Sequence, residues 1–381
     1  MKRLALLMLC CALLLPLLPR AGAVELEVAG KSAVLMDAAT GTILYEKNAH
    51  EPLAPASVTK IMTLLLIMEA IDSGKIRWED TVTASETAAA KGGSQIYLKA
   101  GETMSVTDMV KSIAVSSAND AACAMAEHLS GSEEAFVAQM NEKAAALGMN
   151  DTHFVNCTGL DDAPGAENHK TSAYDIALMS RELLVKHPDV KKFTTIWMDT
   201  VRNGEFGLSN TNKLVRFYSG ATGLKTGFTS SAGYCLSATA EREGMELIAV
   251  VMGCETSKIR NAACKQLLDY GFANYAVVSP LPDGQVYVEI KLGDAPNVSL
   301  IPGAQPQLLI DKALKSGITT DISLSETVTA PVTAGQELGK LTVRSGEKIL
   351  AQIPLVAGVE VKRLTLVQLF RLVMQDIAMG S

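Results

Sequence analysis

Hydrophobic residues along the first part of the chain follow two different periods. Two apolar runs, KSAVLMD and TILYEKN, flank a turn with Gly41, which predicts a β-hairpin. From Ser57 to Ile71 the pattern is helical and almost wholly apolar, which predicts a helix that is buried on most sides. Three later runs have the pattern of consecutive strands joined by short turns: GLKTGFT, GYCLSATAE and MELIAVVMG. With further helical runs in between, we predict an antiparallel sheet with a helical cluster, an α/β (α+β) arrangement.

The residue pattern changes near Ala276. Short alternating apolar and polar positions, punctuated by Pro and Gly, continue to about Val361 and predict a small all-β domain. We place the boundary near residue 275, so that residues 24–275 form the mixed domain and residues 276–361 form the β-rich domain. A chain of 381 residues agrees with two domains, since one domain usually takes about 100 to 200 residues.

The last segment, residues 362–381, is predicted to be an amphipathic helix that is too polar to span a bilayer. Five apolar residues fall on one side of its helical projection: Leu366, Leu369, Phe370, Val373 and Ile377. Three polar residues fall on the other side: Gln368, Arg371 and Gln375. Lys362 and Arg363 stand at its start, where they can meet anionic headgroups, so we predict a membrane-anchoring helix. Leu364 and Leu372 interrupt the polar side, which leaves open a helix packed on the β domain or on a partner.

The beginning of the chain has the features of an export signal. Two basic residues precede the apolar run Leu4–Leu18, and the small residues Ala21–Ala23 follow it. We predict a signal peptide, residues 1–23, that is removed by cleavage. A membrane anchor is the alternative, but Pro16 and a run shorter than the roughly 20 residues that span a bilayer argue against it.

Composition excludes some classes of function. The chain has 48% hydrophobic residues, enough to bury a large core, and a net charge of −7. No long basic run follows the signal, so we expect no nucleic-acid partner. Of seven cysteines, Cys10 and Cys11 leave with the signal, and the remaining five form no CxxC pair. We expect buried apolar thiols, and one disulfide stays open as an alternative.

Ser57 and Lys60 lie three residues apart at the start of the predicted apolar helix. This spacing places both side chains on one face, so Lys60 can share a proton with the Ser57 hydroxyl. A lysine amine in water-poor surroundings has a lowered pKa and can accept a serine proton at neutral pH. The alternative is a structural pair, in which Ser57 caps the helix and Lys60 extends to water.

Two further motifs favour the catalytic interpretation. The segment SSAND, between predicted helices, carries Ser117 and Asn119 and offers a hydroxyl and a carboxamide to the same cleft. The segment LKTGFT carries Lys225, Thr226 and Gly227 on a predicted strand, where a glycine lets a substrate lie close to the backbone. Each triplet alone is a weak signal, but their order and their structural contexts make the set specific.

With these motifs the sequence resembles the serine penicillin-recognising enzymes, in which Ser-x-x-Lys, a Ser-x-Asn type triplet and Lys-Thr-Gly act together. The resemblance to low-molecular-mass D-alanyl-D-alanine carboxypeptidases covers nearly the whole mature chain. Five segments follow in the order of that family: PASVTKIMT, SSANDAACAMAEHLSG, FVAQMNEKAAALGMNDTHFVNCTGLDD, TSAYDIALMSREL and GLKTGFTSSAGYCLSATA. The resemblance implies a transpeptidase/β-lactamase-like domain, then a β-rich domain and a membrane-binding tail. It also implies an enzyme that removes the terminal D-alanine from peptidoglycan pentapeptide stems, limits cross-linking and is inhibited covalently by β-lactam antibiotics.

The resemblance also implies roles for the catalytic residues. Ser57 would be the acylated nucleophile, and Lys60 would be its general base. Ser117 would relay a proton to the leaving D-alanine, while Asn119 would hold Lys60 and the amide of the substrate.

A second group of residues would bind the substrate. Lys225 and Thr226 would hold the terminal carboxylate, and Gly227 would let the peptide lie against the strand. The oxyanion hole would consist of the backbone N–H groups of Ser57 and Phe228.

Some positions depart from the pattern of relatives. Phe228 stands where some relatives have histidine, and the segment NTNKL lacks an arginine that some relatives direct at the carboxylate. Arg260 is either an additional basic contact or a surface residue. The five histidines are scattered, and His169 with Asp175 is the nearest approach to a ligand pair, so we expect no metal and no other cofactor.

Two other functions are considered. A class A β-lactamase shares the three motifs but uses an added glutamate for deacylation, and no Glu-x-x-Leu-Asn lies between Asn119 and Lys225. A silent penicillin-binding module that senses or tethers the cell wall is disfavoured by the intact Ser57, Lys60 and Lys225. We expect an exported enzyme on the outer face of the cytoplasmic membrane. Its vegetative or sporulation role and the third residue of its stem peptide stay open.

Overall fold

The computed structural model describes five stretches of the chain: residues 26–162, 165–281, 284–304, 307–325 and 327–379. The predicted signal peptide, residues 1–23, lies outside the described residues.

Antiparallel strands build the first part of the fold. In chain order these strands are β1 Ser32–Asp37, β2 Ile43–Lys47, β3 Thr81–Thr83, β4 Thr103–Ser105, β5 Met198–Val201, β6 Phe206–Ser209, β7 Ala221–Thr229, β8 Gly233–Arg242 and β9 Met245–Cys254. The main sheet has the order β2-β1-β9-β8-β7, and all of its neighbouring strands are antiparallel. This sheet joins the predicted hairpin to the three predicted later strands, as the sequence pattern indicates.

Helices accompany this sheet. In chain order they are α1 Lys60–Asp72, α2 Glu86–Ala89, α3 Val106–Ser116, α4 Asn119–Ser130, α5 Glu133–Ala146, α6 Ala173–Lys186, α7 Lys191–Thr194, α8 Leu214–Phe217 and α9 Ser257–Asn274. Short 3-10 helices span Ala56–Thr59, Ala166–Asn168, Pro188–Val190 and Arg202–Gly204. Helix α3 ends just before Ser117, whose left-handed backbone, with φ of 63°, separates α3 from α4.

Both faces of the main sheet are covered, which explains why all six residues of β1 are buried. Strand side chains alternate between the two faces. Val34 and Met36 therefore pack in the core with the helical cluster, whereas Ala33 and Leu35 pack in a second core that includes residues of α9. Helix α1 lies inside the first core, because its residues are apolar on nearly every side.

The remaining strands form two further sheets. In chain order they are β10 Tyr275–Val278, β11 Val286–Lys291, β12 Asn297–Pro302, β13 Leu308–Asp311, β14 Ile318–Leu324, β15 Val328–Thr329, β16 Glu337–Ser345 and β17 Lys348–Ala357. Strands β10 and β13 pair with each other, and the larger sheet has the order β14-β16-β17-β12-β11-β15. A 3-10 helix, Lys312–Gly317, precedes β14. Tyr275 and Val277 of β10 pack against the second core of the first part, so the two parts are in contact.

The last described element is helix α10, Leu366–Met379. It begins later than Lys362 because the residues before it are tied to the β sheet region: Leu364 donates its N–H to Leu292 O at 2.8 Å, and Val361 pairs with Val332. Within the described part of the chain, no helix is both long and apolar enough to cross a membrane.

Candidate active site

Ser57 lies in the 3-10 turn Ala56–Thr59, and Lys60 is the first residue of α1. The prediction that Ser57 lies in the first turn of the α-helix itself is wrong, because the α-helix begins at Lys60. The pairing is nevertheless formed, since Lys60 Nζ lies 3.0 Å from Ser57 Oγ.

Lys60 is completely buried and does not extend to water. Its Nζ also donates to the backbone carbonyl of Thr158, at 2.7 Å. Burial lowers the pKa of Lys60 to about 7, and nearby Cys157 and Asp120 oppose this shift only in part. The structural alternative, in which Lys60 reaches solvent, is therefore wrong, and the amine is close to the protonation state that a general base requires.

The backbone around Ser57 is closely packed. Ala56 has a left-handed conformation with φ of 49°. A Cβ on Gly159 would lie 1.8 Å from Ala56 O, and a Cβ on Gly227 would lie 2.7 Å from Pro55 O. Both glycines are required by this turn. Gly227 was predicted to allow close approach of the substrate, and the contact with Pro55 O adds a steric requirement inside the protein itself.

Thr158 and Gly159 belong to a loop that several groups hold in place. Asn156 Oδ1 accepts hydrogen bonds from the N–H groups of Thr158, at 3.1 Å, and Gly159, at 2.6 Å. Thr63 Oγ1 donates to Cys157 O at 2.7 Å. These contacts fix the Thr158 carbonyl that accepts from Lys60. The role of this loop was not predictable from the sequence, because the group that Lys60 contacts is a backbone carbonyl, which any residue provides.

Ser117 meets Lys225 across the same cleft. Lys225 Nζ donates to Ser117 Oγ at 2.9 Å, and both side chains are buried. Burial lowers the pKa of Lys225 well below its ordinary value, and the positive charges of Lys60 and Arg260 lower it further. The structure thus brings together the serine and the lysine of the second and third motifs.

Asn119 presents a free acceptor. Its Nδ2 donates to Gly92 O at 2.7 Å, and this contact fixes the orientation of the carboxamide. Asn119 Oδ1 is buried and has no hydrogen-bond partner among the described residues. A buried acceptor without a partner is costly unless a ligand supplies a donor, so it is suited to an N–H group of a substrate.

Thr226 and Phe228 lie on strand β7, the edge strand of the main sheet. Thr226 Oγ1 donates to Thr211 Oγ1 at 2.7 Å. Thr211 belongs to the NTNKL segment, which lacks the arginine that some relatives direct at the carboxylate, and its hydroxyl contacts Thr226. The Phe228 ring is half exposed and lies 4.2 Å, between ring centroids, from the Tyr234 ring.

Arg260 is buried, with 5% of its surface exposed, and so it is not the surface residue that one of the two sequence interpretations described. Its guanidinium lies over the Tyr234 ring, 5.9 Å from the centroid, and donates to Asn261 Oδ1. Its charge is close enough to lower the pKa of Lys225. The cysteines that the structure describes are free and buried: Cys123, Cys157, Cys235, Cys254 and Cys264.

Comparison with known proteins decides the family. Residues 20–256 match the family model described as D-alanyl-D-alanine carboxypeptidase, and residues 275–363 match that of the penicillin-binding protein 5 C-terminal domain. The chain is 44% identical, over 358 residues, to the D-alanyl-D-alanine carboxypeptidase DacF of Bacillus subtilis, and the alignment covers 92% of this chain and 91% of that protein. The chain belongs to the D-alanyl-D-alanine carboxypeptidase family.

Solved structures agree with this assignment. Penicillin-binding protein 5 of Haemophilus influenzae superimposes with a TM-score of 0.75 and 32% identity, over 88% of this carboxypeptidase chain and 98% of the other. Penicillin-binding protein D2 of Listeria monocytogenes, in its ampicillin-bound form, superimposes with a TM-score of 0.59 and 32% identity, over 65% of this chain and 99% of the other. The predicted fold class and the predicted enzyme class, a serine-type D-Ala-D-Ala carboxypeptidase, are confirmed.

Proposed function

We propose that this carboxypeptidase removes the terminal D-alanine from peptidoglycan pentapeptide stems through an acyl-enzyme on Ser57, and thereby limits cross-linking. The observation that carries the proposal is the buried Lys60 amine, with a pKa lowered to about 7, at 3.0 Å from Ser57 Oγ. A neutral amine at this distance can accept the hydroxyl proton directly.

In acylation, Ser57 Oγ attacks the carbonyl carbon of the penultimate D-alanine while its proton passes to Lys60 Nζ. The carbonyl oxygen becomes an oxyanion, for which the N–H groups of Ser57 and Phe228 are the proposed donors. Collapse of this intermediate breaks the peptide bond, and the leaving nitrogen takes a proton from Ser117. Lys225, which donates to Ser117 Oγ in the free enzyme, replaces that proton.

In deacylation, a water molecule attacks the ester carbonyl of the acyl-enzyme. One proton of the water passes to the Ser117–Lys225 pair, which gave up a proton in acylation, and Ser57 Oγ leaves with the proton that Lys60 accepted. The products are the shortened stem, which carries a new carboxylate, and the regenerated hydroxyl.

Substrate selection rests on the carboxylate at the end of the stem. Lys225 and Thr226 are the proposed carboxylate-binding residues, and Arg260 adds positive charge behind them. An arriving carboxylate favours the charged form of Lys225, which compensates for the effect of burial on its pKa. Asn119 Oδ1, which has no partner among the described residues, is the proposed acceptor for a substrate N–H group.

We expect β-lactams to acylate Ser57, as supported by the ampicillin-bound form of the Listeria monocytogenes protein. The test uses a fluorescent penicillin and a defined pentapeptide with three enzymes: wild type, Ser57→Ala and Ser279→Ala, the last being an exposed serine of the described chain. We expect Ser57→Ala to lose both labelling and D-alanine release, and Ser279→Ala to keep both. Labelling of Ser57→Ala at another serine contradicts the assignment.

We further propose that the enzyme is exported by residues 1–23 and is held by α10 on the outer face of the cytoplasmic membrane. The proposal is supported by the exposure of the apolar side of α10, where Leu366 is 85% exposed, Phe370 66% and Ile377 69%. The polar side of α10 and the β sheet region line a common groove, to which α10 contributes Arg371 and the β sheet region contributes Asp294. An amphipathic helix that packs only on protein would bury its apolar side, whereas the apolar side of α10 is the exposed one.

A truncated chain tests this location. Ending the chain after Thr365 keeps the contacts of Arg363 and Leu364 with the β sheet region and removes α10 alone. We expect the full-length enzyme to bind vesicles that contain anionic lipids and the truncated enzyme to remain unbound with full D-alanine release. Equal vesicle binding by both forms contradicts the anchor.

We also propose that the boundary between the two domains lies near residue 275, where α9 has ended and β10 begins.

A further inference from the structure

His169 connects the two segments that hold the Ser57–Lys60 pair. Its Nε2 lies 2.8 Å from Thr59 Oγ1, in the turn that carries Ser57. Its Nδ1 accepts a hydrogen bond, at 3.0 Å, from the N–H of Val155, at the beginning of the loop that carries Thr158. The side chain is 97% removed from solvent, since only 3% of His169 is exposed.

The backbone N–H of Val155, which donates to Nδ1, fixes the tautomer of the His169 ring. A backbone N–H can only donate, so Nδ1 is unprotonated and Nε2 carries the hydrogen of the neutral imidazole. Nε2–H therefore donates to Thr59 Oγ1, and the Thr59 hydroxyl donates in turn to Ala56 O at 2.8 Å. The chain of hydrogen bonds ends on the carbonyl of the residue that precedes the nucleophile.

The backbone near His169 joins the same two segments. Lys170 exchanges hydrogen bonds with His153, of 2.9 and 3.1 Å, and Thr171 exchanges two with Leu53, of 2.8 and 2.9 Å. One strand-like segment thus lies between the chain that leads to Ser57 and the chain that leads to Thr158. The imidazole extends this connection to the residues next to the reacting groups.

The two groups that His169 supports bear directly on the catalytic pair. Ala56 is held in a left-handed conformation, with φ of 49°, so its carbonyl needs a donor that keeps it in place. The Thr158 carbonyl accepts from Lys60 at 2.7 Å. We propose that His169 is a positioning residue that aligns Ser57 with Lys60 by fixing both supports at once. The inference rests on the proposed roles of Ser57 and Lys60.

The charged groups around the ring agree with a neutral imidazole. Burial lowers the pKa of His169 to about 4, and the positive charges of His153, Lys60 and Lys170 act in the same direction. The Phe154 ring lies in an edge-to-face arrangement with the imidazole, with 5.7 Å between centroids, and carries no charge. Nδ1 therefore stays an acceptor for the Val155 N–H through neutral pH.

Three substitutions separate the two contacts. His169→Asn retains an acceptor near Val155 and loses the contact with Thr59, whereas His169→Gln retains a donor that reaches Thr59 and loses the contact with Val155. His169→Leu removes both contacts. His128→Leu is the matched control, because His128 is an exposed histidine on α4.

The measured quantities are the binding constant and the acylation rate constant for a fluorescent penicillin, obtained by stopped flow over a range of pH. The hydrogen-bond partners of His169 are Thr59 and Val155, and neither is a proposed binding residue. We therefore expect unchanged binding and an acylation rate constant that falls by up to roughly 100-fold in His169→Leu. The two polar variants should fall by less. We also expect the acid limb of the His169→Leu profile to move to higher pH, because a looser loop admits water to Lys60.

Two outcomes overturn the inference. If His169→Gln and His169→Asn both acylate at the wild-type rate with an unchanged acid limb, His169 does not position the pair, even when His169→Leu fails to fold. A loss of penicillin binding with an unchanged acylation rate constant assigns His169 to the binding site and likewise overturns it. Penicillin labelling of Ser57→Ala distinguishes this result from failure of the proposed function. If Ser57 is not the nucleophile, Ser57→Ala keeps its labelling, independently of the result for the His169 variants.

Discussion

Gly159→Ala tests how strictly the backbone positions the nucleophile. Gly159 has a left-handed backbone with φ of 82°, and an added Cβ would lie 1.8 Å from Ala56 O and 2.7 Å from Thr59 Oγ1. Non-bonded Cβ contacts below 3.0 Å essentially do not occur, so the Thr158–Gly159 backbone and the Ala56 carbonyl must separate by about 1.2 Å. Neither atom group is the flexible end of a side chain, and the displacement therefore reaches Ser57 and Lys60.

The expected magnitudes follow from this displacement. A shift of about 1 Å in a catalytic group costs roughly 100-fold in rate, and we expect that loss in penicillin acylation and in D-alanine release. Overpacking adds about 1 to 3 kcal/mol of destabilisation to the strain of an alanine with positive φ. Gly131→Ala is the matched control, because Gly131 also has φ of 82° but a Cβ there meets nothing within 4 Å.

The assay compares acylation rates by fluorescent penicillin and unfolding midpoints in urea for wild type, Gly159→Ala and Gly131→Ala. Gly131→Ala should lose stability from backbone strain alone and keep its acylation rate. The reasoning is refuted if Gly159→Ala is folded and acylates within a few-fold of Gly131→Ala, since the turn around Ser57 then tolerates the displacement.

Three further predictions concern single groups of the site. Acylation should fall as the pH decreases through about 7, because protonated Lys60 cannot accept the Ser57 proton. Lys60→Arg should be inactive, since arginine does not deprotonate. A pH profile of acylation without this acid limb contradicts the assignment of Lys60 as the base. Asn119→Ala should lower kcat/KM for a pentapeptide by up to roughly tenfold, because one hydrogen bond to the substrate is lost, and steady-state D-alanine release measures this. Thr211→Val should raise KM several-fold with little change in kcat, because Thr226 loses its 2.7 Å partner; an unchanged KM shows that this contact does not orient Thr226.

Periodicity alone predicted the main sheet and the buried helix, because both depend on which side chains face the core. The irregular backbone near the site did not follow from periodicity. Ser57 lies in a 3-10 turn that packs against Gly159 and Gly227, and Ser117, with φ of 63°, contacts Lys225. The segment SSAND was correctly predicted to lie between helices, but neither backbone conformation was predictable, because both involve contacts with segments that are distant in sequence.

The residues of the site were likewise only partly predictable from the sequence. Side-chain motifs made Ser57, Lys60, Ser117, Asn119 and Lys225 visible, because their residue types carry the chemistry. The groups next to them that no motif includes are a carbonyl at Thr158, an absent side chain at Gly159 and the buried imidazole of His169, the proposed positioning residue. Carbonyls carry no sequence signal, and a lone histidine or glycine has too many ordinary roles for its position to be predicted without the fold.

The buried cations explain why the cleft should select a free carboxylate. Lys60, Lys225 and Arg260 are all buried, and they donate to neutral acceptors, namely Thr158 O, Ser117 Oγ and Asn261 Oδ1. Burial of a cationic amine is costly, and this cost lowers the pKa values of both lysines; Asp120 opposes it only in part at Lys60, and Lys225 has the like charges of Lys60 and Arg260 nearby. If Lys225 binds the carboxylate as proposed, a stem that ends there would supply the missing negative charge, whereas a peptide bond continued beyond this point would supply none. On this proposal, the electrostatic imbalance of the empty cleft would favour cleavage at the end of a chain over cleavage within it.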